Sequence, residues 1–234
     1  MLLPTRSPAH TPVPAPHAPR HTFPFAAVGS AVSSAAVKRS VLVPVLLLAA
    51  CVLTRWPGLM PLNFSVIYGL VFCAGAFPQR LPWWAVFGTL VATDVGLNLF
   101  YYQTAPFSDY QAVNYLAYAG IYALGRLFAR QREIWKHVAG GLLGAVLFYL
   151  ITNTAAWLEN PAYAKTLAEW VRALTTGTSG WPETWTFFRN TLLSGGLFAG
   201  LISAALQSVE AKEPEPEEET EPEVAPESEP EEAK

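Results

Sequence analysis

The chain is poor in charge, cysteine and histidine, and each shortage excludes a class of function. Asp, Glu, Lys and Arg together make up 14% of its 234 residues. The two cysteines, Cys51 and Cys73, fall in apolar runs, which leaves neither a disulfide framework nor a CxxC metal site. Beyond residue 37 there is one histidine, His137. It opens an apolar run at the end away from Ser65 and Ser194, so neither serine has a base to activate it. Asp94 has no second carboxylate in an apolar segment, so acid–base and two-carboxylate metal chemistry lack a partner group. No glycine-rich phosphate loop is present, and the chain cannot energise transport through ATP by itself. We therefore expect no enzyme: no catalytic residue, metal ligand or cofactor is assigned, and no nucleic-acid partner is expected.

What is abundant is apolar sequence, 52% of the chain. The run 82–102, PWWAVFGTLVATDVGLNLFYY, carries one charged side chain, Asp94. At about 1.5 Å per residue such a helix crosses a hydrocarbon core of about 30 Å. An ionised carboxylate near its middle costs at least about 2.5 kcal/mol on insertion scales, so it is paired, turned inward or functional. Asn98, four residues on, shares its helix face. Five further runs read as spans: 40–54, 64–77, 111–129, 137–158 and 185–207. Breakers and turns separate them, including Trp56-Pro57-Gly58 and Pro78-Gln79-Arg80. Gly140, Gly141 and Gly144 open the fifth with small-residue spacing that permits close helix contact. Within the long connection 159–184, residues 162–174 read as an amphipathic helix on the membrane surface.

The expected architecture is all-α: a polytopic membrane protein with a six-transmembrane-helix bundle over 38–207, flanked by disordered tails. The tail 1–37 holds seven prolines together with His10, His17 and His21, a composition that favours an extended, solvated chain. No signal-peptide core follows Arg6, and no cleaved signal is expected. The tail 208–234 alternates Glu with Pro, and Glu210 to Glu232 supply twelve of the eighteen acids. Residues 38–207 hold eleven Lys/Arg against six Asp/Glu, a net +5. Seven of these bases (Lys38, Arg39, Arg80, Arg126, Arg130, Arg132, Lys136) fall at one set of helix ends, and four (Arg55, Lys165, Arg172, Arg189) at the other. By the positive-inside rule both termini are expected in the cytoplasm, with the chain a multi-pass protein of an inner (cytoplasmic) membrane.

That orientation lets depth be counted. Asp94 lies roughly 16 Å along its span and Asn153 roughly 24 Å along the fifth, with Trp157 one turn beyond it. Asn63, Asn98, Asn114, Arg189 and Asn190 cluster towards the same outer ends. One reading is an outward-facing cavity for a small polar or amphipathic solute, with Asn63, Asp94, Asn98, Asn153, Trp157, Arg189 and Asn190 as its binding residues. Tyr101 and the Tyr115/Tyr118/Tyr122 stripe would meet its apolar part. The competing reading is structural, in which Asp94 pairs with Arg189 and the asparagines bond across helices. A different class of function is a membrane scaffold or assembly protein acting through the acidic tail.

Particular strings carry a resemblance. Pro61-Leu62-Asn63-Phe64-Ser65 ahead of a glycine-bearing helix, Asp94, Ile151-Thr152-Asn153-Thr154-Ala155-Ala156-Trp157, and Phe187-Phe188-Arg189-Asn190-Thr191-Leu192 together resemble a family of uncharacterised bacterial six-span membrane proteins described as transport proteins. That family is similar to the substrate-capturing S components of energy-coupling factor (ECF) transporters. The resemblance implies a solute-binding membrane subunit taking a vitamin or its precursor from outside, with a separate energising module as partner.

Overall fold

The computed structural model describes residues 41–210, and these are helical throughout apart from turns and connections. The tail expected over 1–37 lies outside the described residues, as does that over 208–234 except for its first three residues. Those three, 208–210, complete the last helix rather than starting a tail. Seven helices follow in order: α1 (Val41–Thr54), α2 (Ile67–Ala76), α3 (Trp83–Gly96), α4 (Asp109–Leu127), α5 (Ile134–Glu159), α6 (Leu167–Leu174) and α7 (Thr184–Glu210). A π-helical turn over Leu97–Tyr102 extends α3. No strand occurs among the described residues.

Three of these helices are long and apolar enough to cross a membrane: Trp83–Tyr102, Ile134–Glu159 and Thr184–Glu210, of 20, 26 and 27 residues. Their outward faces keep large apolar side chains exposed, among them Trp84, Phe100, Leu150, Leu193 and Leu201. Apolar exposure on this scale is untenable in water and suits a lipid-facing surface. These features give the protein the character of a membrane protein.

The second expected span is the clearest departure. α2 has ten residues, about 15 Å of helix, half of what a bilayer needs. All ten are buried. The run 64–77 is apolar because α2 is the centre of the bundle, surrounded by α4, α5 and α7, and not because lipid surrounds it. It starts late because Asn63 adopts a left-handed φ of 60°. Ser65 then offers its Oγ to the Ile67 N–H at 3.3 Å, and the helix begins there.

Small residues set the closest helix approaches. Gly75 of α2 and Gly125 of α4 face each other so tightly that a Cβ on either would strike the partner backbone, at Tyr122 O and Phe72 O respectively. Gly141 of α5 meets Gly195 and Ala199 of α7 in the same way, and α5–α7 is the most extensive interface. Packing backbone against backbone gains dispersion without any hydrophobic drive, as an apolar solvent requires. At the far end of the bundle, Arg132 in the α4–α5 turn pairs with Glu210 at 2.6 Å, and Gln207 Nε2 donates to the Arg132 carbonyl at 2.9 Å. His137 is fully buried at this end, against the Phe72 and Phe77 rings.

The connection between α5 and α7 is held rather than loose. α6 starts at Leu167, later than the expected 162, because Thr166 is its N-cap and accepts from the Glu169 N–H at 3.4 Å. Two bonds staple it to α5: Trp170 Nε1 to Thr154 Oγ1 at 3.0 Å, and the Tyr149 hydroxyl to the Leu174 carbonyl. Tyr149→Phe removes one staple and leaves the Leu174 carbonyl without it. We expect about 1 kcal/mol of local destabilisation, read as faster protease cleavage within 160–183 at an almost unchanged global melting temperature.

Candidate functional site

The polar residues of the two-ended bundle are not scattered. At the end where α2, α4 and α7 begin and α5 finishes, they surround a cavity of about 640 Å³. α2 and its approach contribute Asn63 and Tyr68; α4 contributes Tyr110, Asn114 and Tyr118; α5 contributes Phe148, Thr152, Asn153 and Ala156. The connection adds Asn160, Tyr163, Thr178, Trp181 and Pro182, and α7 adds Thr184 and Phe187. A volume of this order suits a small organic ligand.

Local sequence explains each wall. On α4, Asn114 and Tyr118 lie four residues apart and share a face. The helix starts at Asp109, where Gln111 Oε1 accepts the Ser108 N–H at 2.8 Å, half of a capping box. On α5, Thr152 and Asn153 turn their polar groups back: Thr152 Oγ1 donates to the Phe148 carbonyl and Asn153 Nδ2 to the Tyr149 carbonyl, both at 2.9 Å. Asn153 keeps its Oδ1 for the cavity. The aromatic floor is mutually packed. Tyr118 stacks on Phe148 with centroids 5.4 Å apart and planes at 15°, and Tyr68 meets Phe148 edge-on at 4.9 Å.

Of the seven residues read from the sequence as a binding set, Asn63 and Asn153 line this cavity. Asn190 stands one step behind: its Nδ2 donates to the Leu62 carbonyl at 2.9 Å and so pins the turn that presents Asn63. Trp157 points its Nε1 at the Ala164 carbonyl, 3.0 Å away, and supports the connection. Arg189 is exposed, with its guanidinium 5.5 Å from the Trp185 ring centroid. Asn98 donates to the Pro106 carbonyl at 3.1 Å and closes the turn after the π-helix.

Asp94 belongs to a different cluster. Its carboxylate pairs with Arg55, just past the end of α1, and accepts the Tyr115 hydroxyl of α4 at 2.5 Å. The pair is largely buried, with the Arg55 and Asp94 side chains 16% and 14% exposed. The ionic partner of Asp94 is thus Arg55 and not Arg189. This cluster ties α1, α3 and α4 together at one depth. Beside it lies a second, smaller groove of about 280 Å³, apolar in character, between Val52 and Trp56 on one side and Leu97, Phe100 and Tyr101 on the other. Tyr101 therefore sits with Trp56, their rings 5.9 Å apart, and not with the polar cavity.

The cavity residues that the sequence reading passed over are mostly aromatic or lie in the connection: Tyr68, Tyr110, Phe148, Asn160, Tyr163, Trp181 and Phe187. A usable signal existed for two of them. Tyr68 follows Asn63 by five residues, and Asn160 ends α5 just beyond Asn153 and Trp157. The rest are indistinguishable by pattern from lipid-facing or packing aromatics.

No curated protein and no solved structure matches the chain. The sequence model of DUF6580, described as a family of unknown function, matches residues 35–217. That range takes in every helix described above, and the chain belongs to this family.

Proposed function

We propose that the protein is a membrane-embedded solute-binding protein, similar in role to an S component, that captures a small vitamin-like or precursor molecule at the outer face of a bacterial inner membrane. The observation that carries this reading is the cavity at one end of the bundle, where four asparagines and four tyrosines from separate elements converge. Asn153 and Asn160 also bond to nearby backbone, but Asn63 and Asn114 do not, and a purely structural bundle has no need to leave such amides around open space. In this reading the described helices other than α6 serve as the six spans, with α2 as a short central one enclosed by its neighbours. α6 lies along the outer surface, where Leu167 and Val171 are exposed. The bias of Lys and Arg towards the opposite helix ends supports an outward-facing cavity and cytoplasmic termini. The chain supplies no phosphate-binding loop, so energised uptake requires a separate module.

The test is purification in mild detergent, followed by mass spectrometry of released small molecules and thermal-shift screening with a vitamin and precursor panel. A bound solute is expected, and Asn153→Leu should weaken it about tenfold, one hydrogen bond's worth. Empty preparations together with no thermal shift would overturn the proposal. Reporter fusions placing the termini outside would put the cavity on the cytoplasmic side and refute capture from outside.

A further inference from the structure

The composition of the cavity wall restricts what can enter it. None of the lining residues is Asp, Glu, Lys, Arg or His. Most charged groups at this end of the bundle are engaged with other partners; Glu159, at the exposed end of α5, is the charge that reaches the wall electrostatically, at Tyr110. Asp94 holds Arg55 and Tyr115. Arg172 pairs with Glu169 at 3.1 Å and donates to the Ala162 carbonyl. Lys165 donates to the carbonyls of Trp157 and Asn160, and Arg189 lies over Trp185. A charged group moved from water into this space would meet no counter-charge among the lining residues, and burial without one is heavily penalised.

An aromatic lining can hold a cation when ring faces are open to it. Here the central faces are occupied, since Tyr118 and Phe148 stack on each other and Tyr68 closes on Phe148 edge-first. What the wall does offer is paired donors and acceptors. The side-chain amides of Asn63 and Asn114 make no hydrogen bond to any described residue, and Asn153 has its Oδ1 to spare. A carboxamide places an N–H donor beside a C=O acceptor, the pattern that matches the amide or amidine edge of a ring.

Building on the solute-binding reading above, we propose that the portion of the solute enclosed here is an uncharged planar ring bearing amide or hydroxyl groups, held edge-on by Asn114 and its neighbouring asparagines, and that rings carrying a full charge of either sign are excluded. A charged substituent can extend through the open mouth beside Trp181, which is 76% exposed.

The experiment uses the full-length protein in detergent, with the copurified molecule identified by mass spectrometry and its ring charge assigned at pH 7. An uncharged ring with amide or hydroxyl edges is expected. A ring that is anionic or cationic overturns the charge rule while leaving solute binding in place. Preparations empty under all conditions overturn both. Asn114→Asp, nearly isosteric but anionic, should lower occupancy at least about tenfold, as expected for an unpaired charge facing the ligand. Unchanged occupancy in a variant that melts like the parent overturns the placement of the ring against Asn114.

Discussion

Asp94→Leu should destabilise the protein by about 3–5 kcal/mol, because it leaves the Arg55 guanidinium largely buried without its carboxylate. The effect should not be that of losing a ligand contact, since Asp94 lies outside the polar cavity. The double replacement Arg55→Leu with Asp94→Leu should recover most of the loss. Removing both charges also removes the cost of keeping them from water, and a buried pair is often close to neutral against apolar residues of similar size. Melting curves of the detergent-purified variants read this directly. If the double variant is as unstable as the single one, the pair is not where the energy lies. The Tyr115 hydroxyl shares the carboxylate, so Tyr115→Phe should give a smaller loss of about 1–2 kcal/mol.

Gly125→Val should be the most damaging change on α4. The added Cβ would meet the Phe72 carbonyl, and its branches would press on Gly75. Neither obstacle is a flexible side chain that can swing away. α2 and α4 would have to separate, and α2 is the helix on which α4, α5 and α7 all pack. Overpacking of this kind costs about 3 kcal/mol or more. We expect loss of the monodisperse species in size-exclusion chromatography. Gly88→Val is the control: a Cβ there meets nothing within 4 Å, and the variant should be recovered like the parent. Equal behaviour of the two variants would show that the α2–α4 approach does not limit stability.

Several features were readable without coordinates because their causes are local. The helical runs and their turns follow from apolar length and from breakers such as Pro57-Gly58 and Pro78, and α5, α7 and the extended α3 lie close to the expected ranges. The glycines 140, 141 and 144 do face neighbouring helices, against Phe72, Gly195 and Ile121. The amphipathic segment after α5 does contain a short helix. That Asp94 requires a partner also follows from sequence, since the penalty for a lone carboxylate in an apolar helix does not depend on the fold.

Which group meets Asp94 is a different kind of fact. Arg55 is 39 residues away and lies at a helix end, where an arginine alone reads as an interfacial residue. No periodicity links the two. The same holds for the asparagines: amide side chains bond equally well to a neighbouring carbonyl or to a ligand, and only packing decides which. Asn98 and Asn190 found carbonyls, whereas Asn63 and Asn114 were left facing open space.

By itself, then, the sequence determined an apolar helical chain with small-residue contacts, sparse charge and one carboxylate that has to be neutralised, because these depend on residues within a few turns of each other. The tertiary structure alone decided that α2 is a short central helix, that Arg55 takes Asp94, and that asparagines and tyrosines from three helices and their connections surround one cavity with no charged side chain in its wall. Those outcomes rest on distances between segments far apart in the chain, which are fixed only when backbones pack at their glycines.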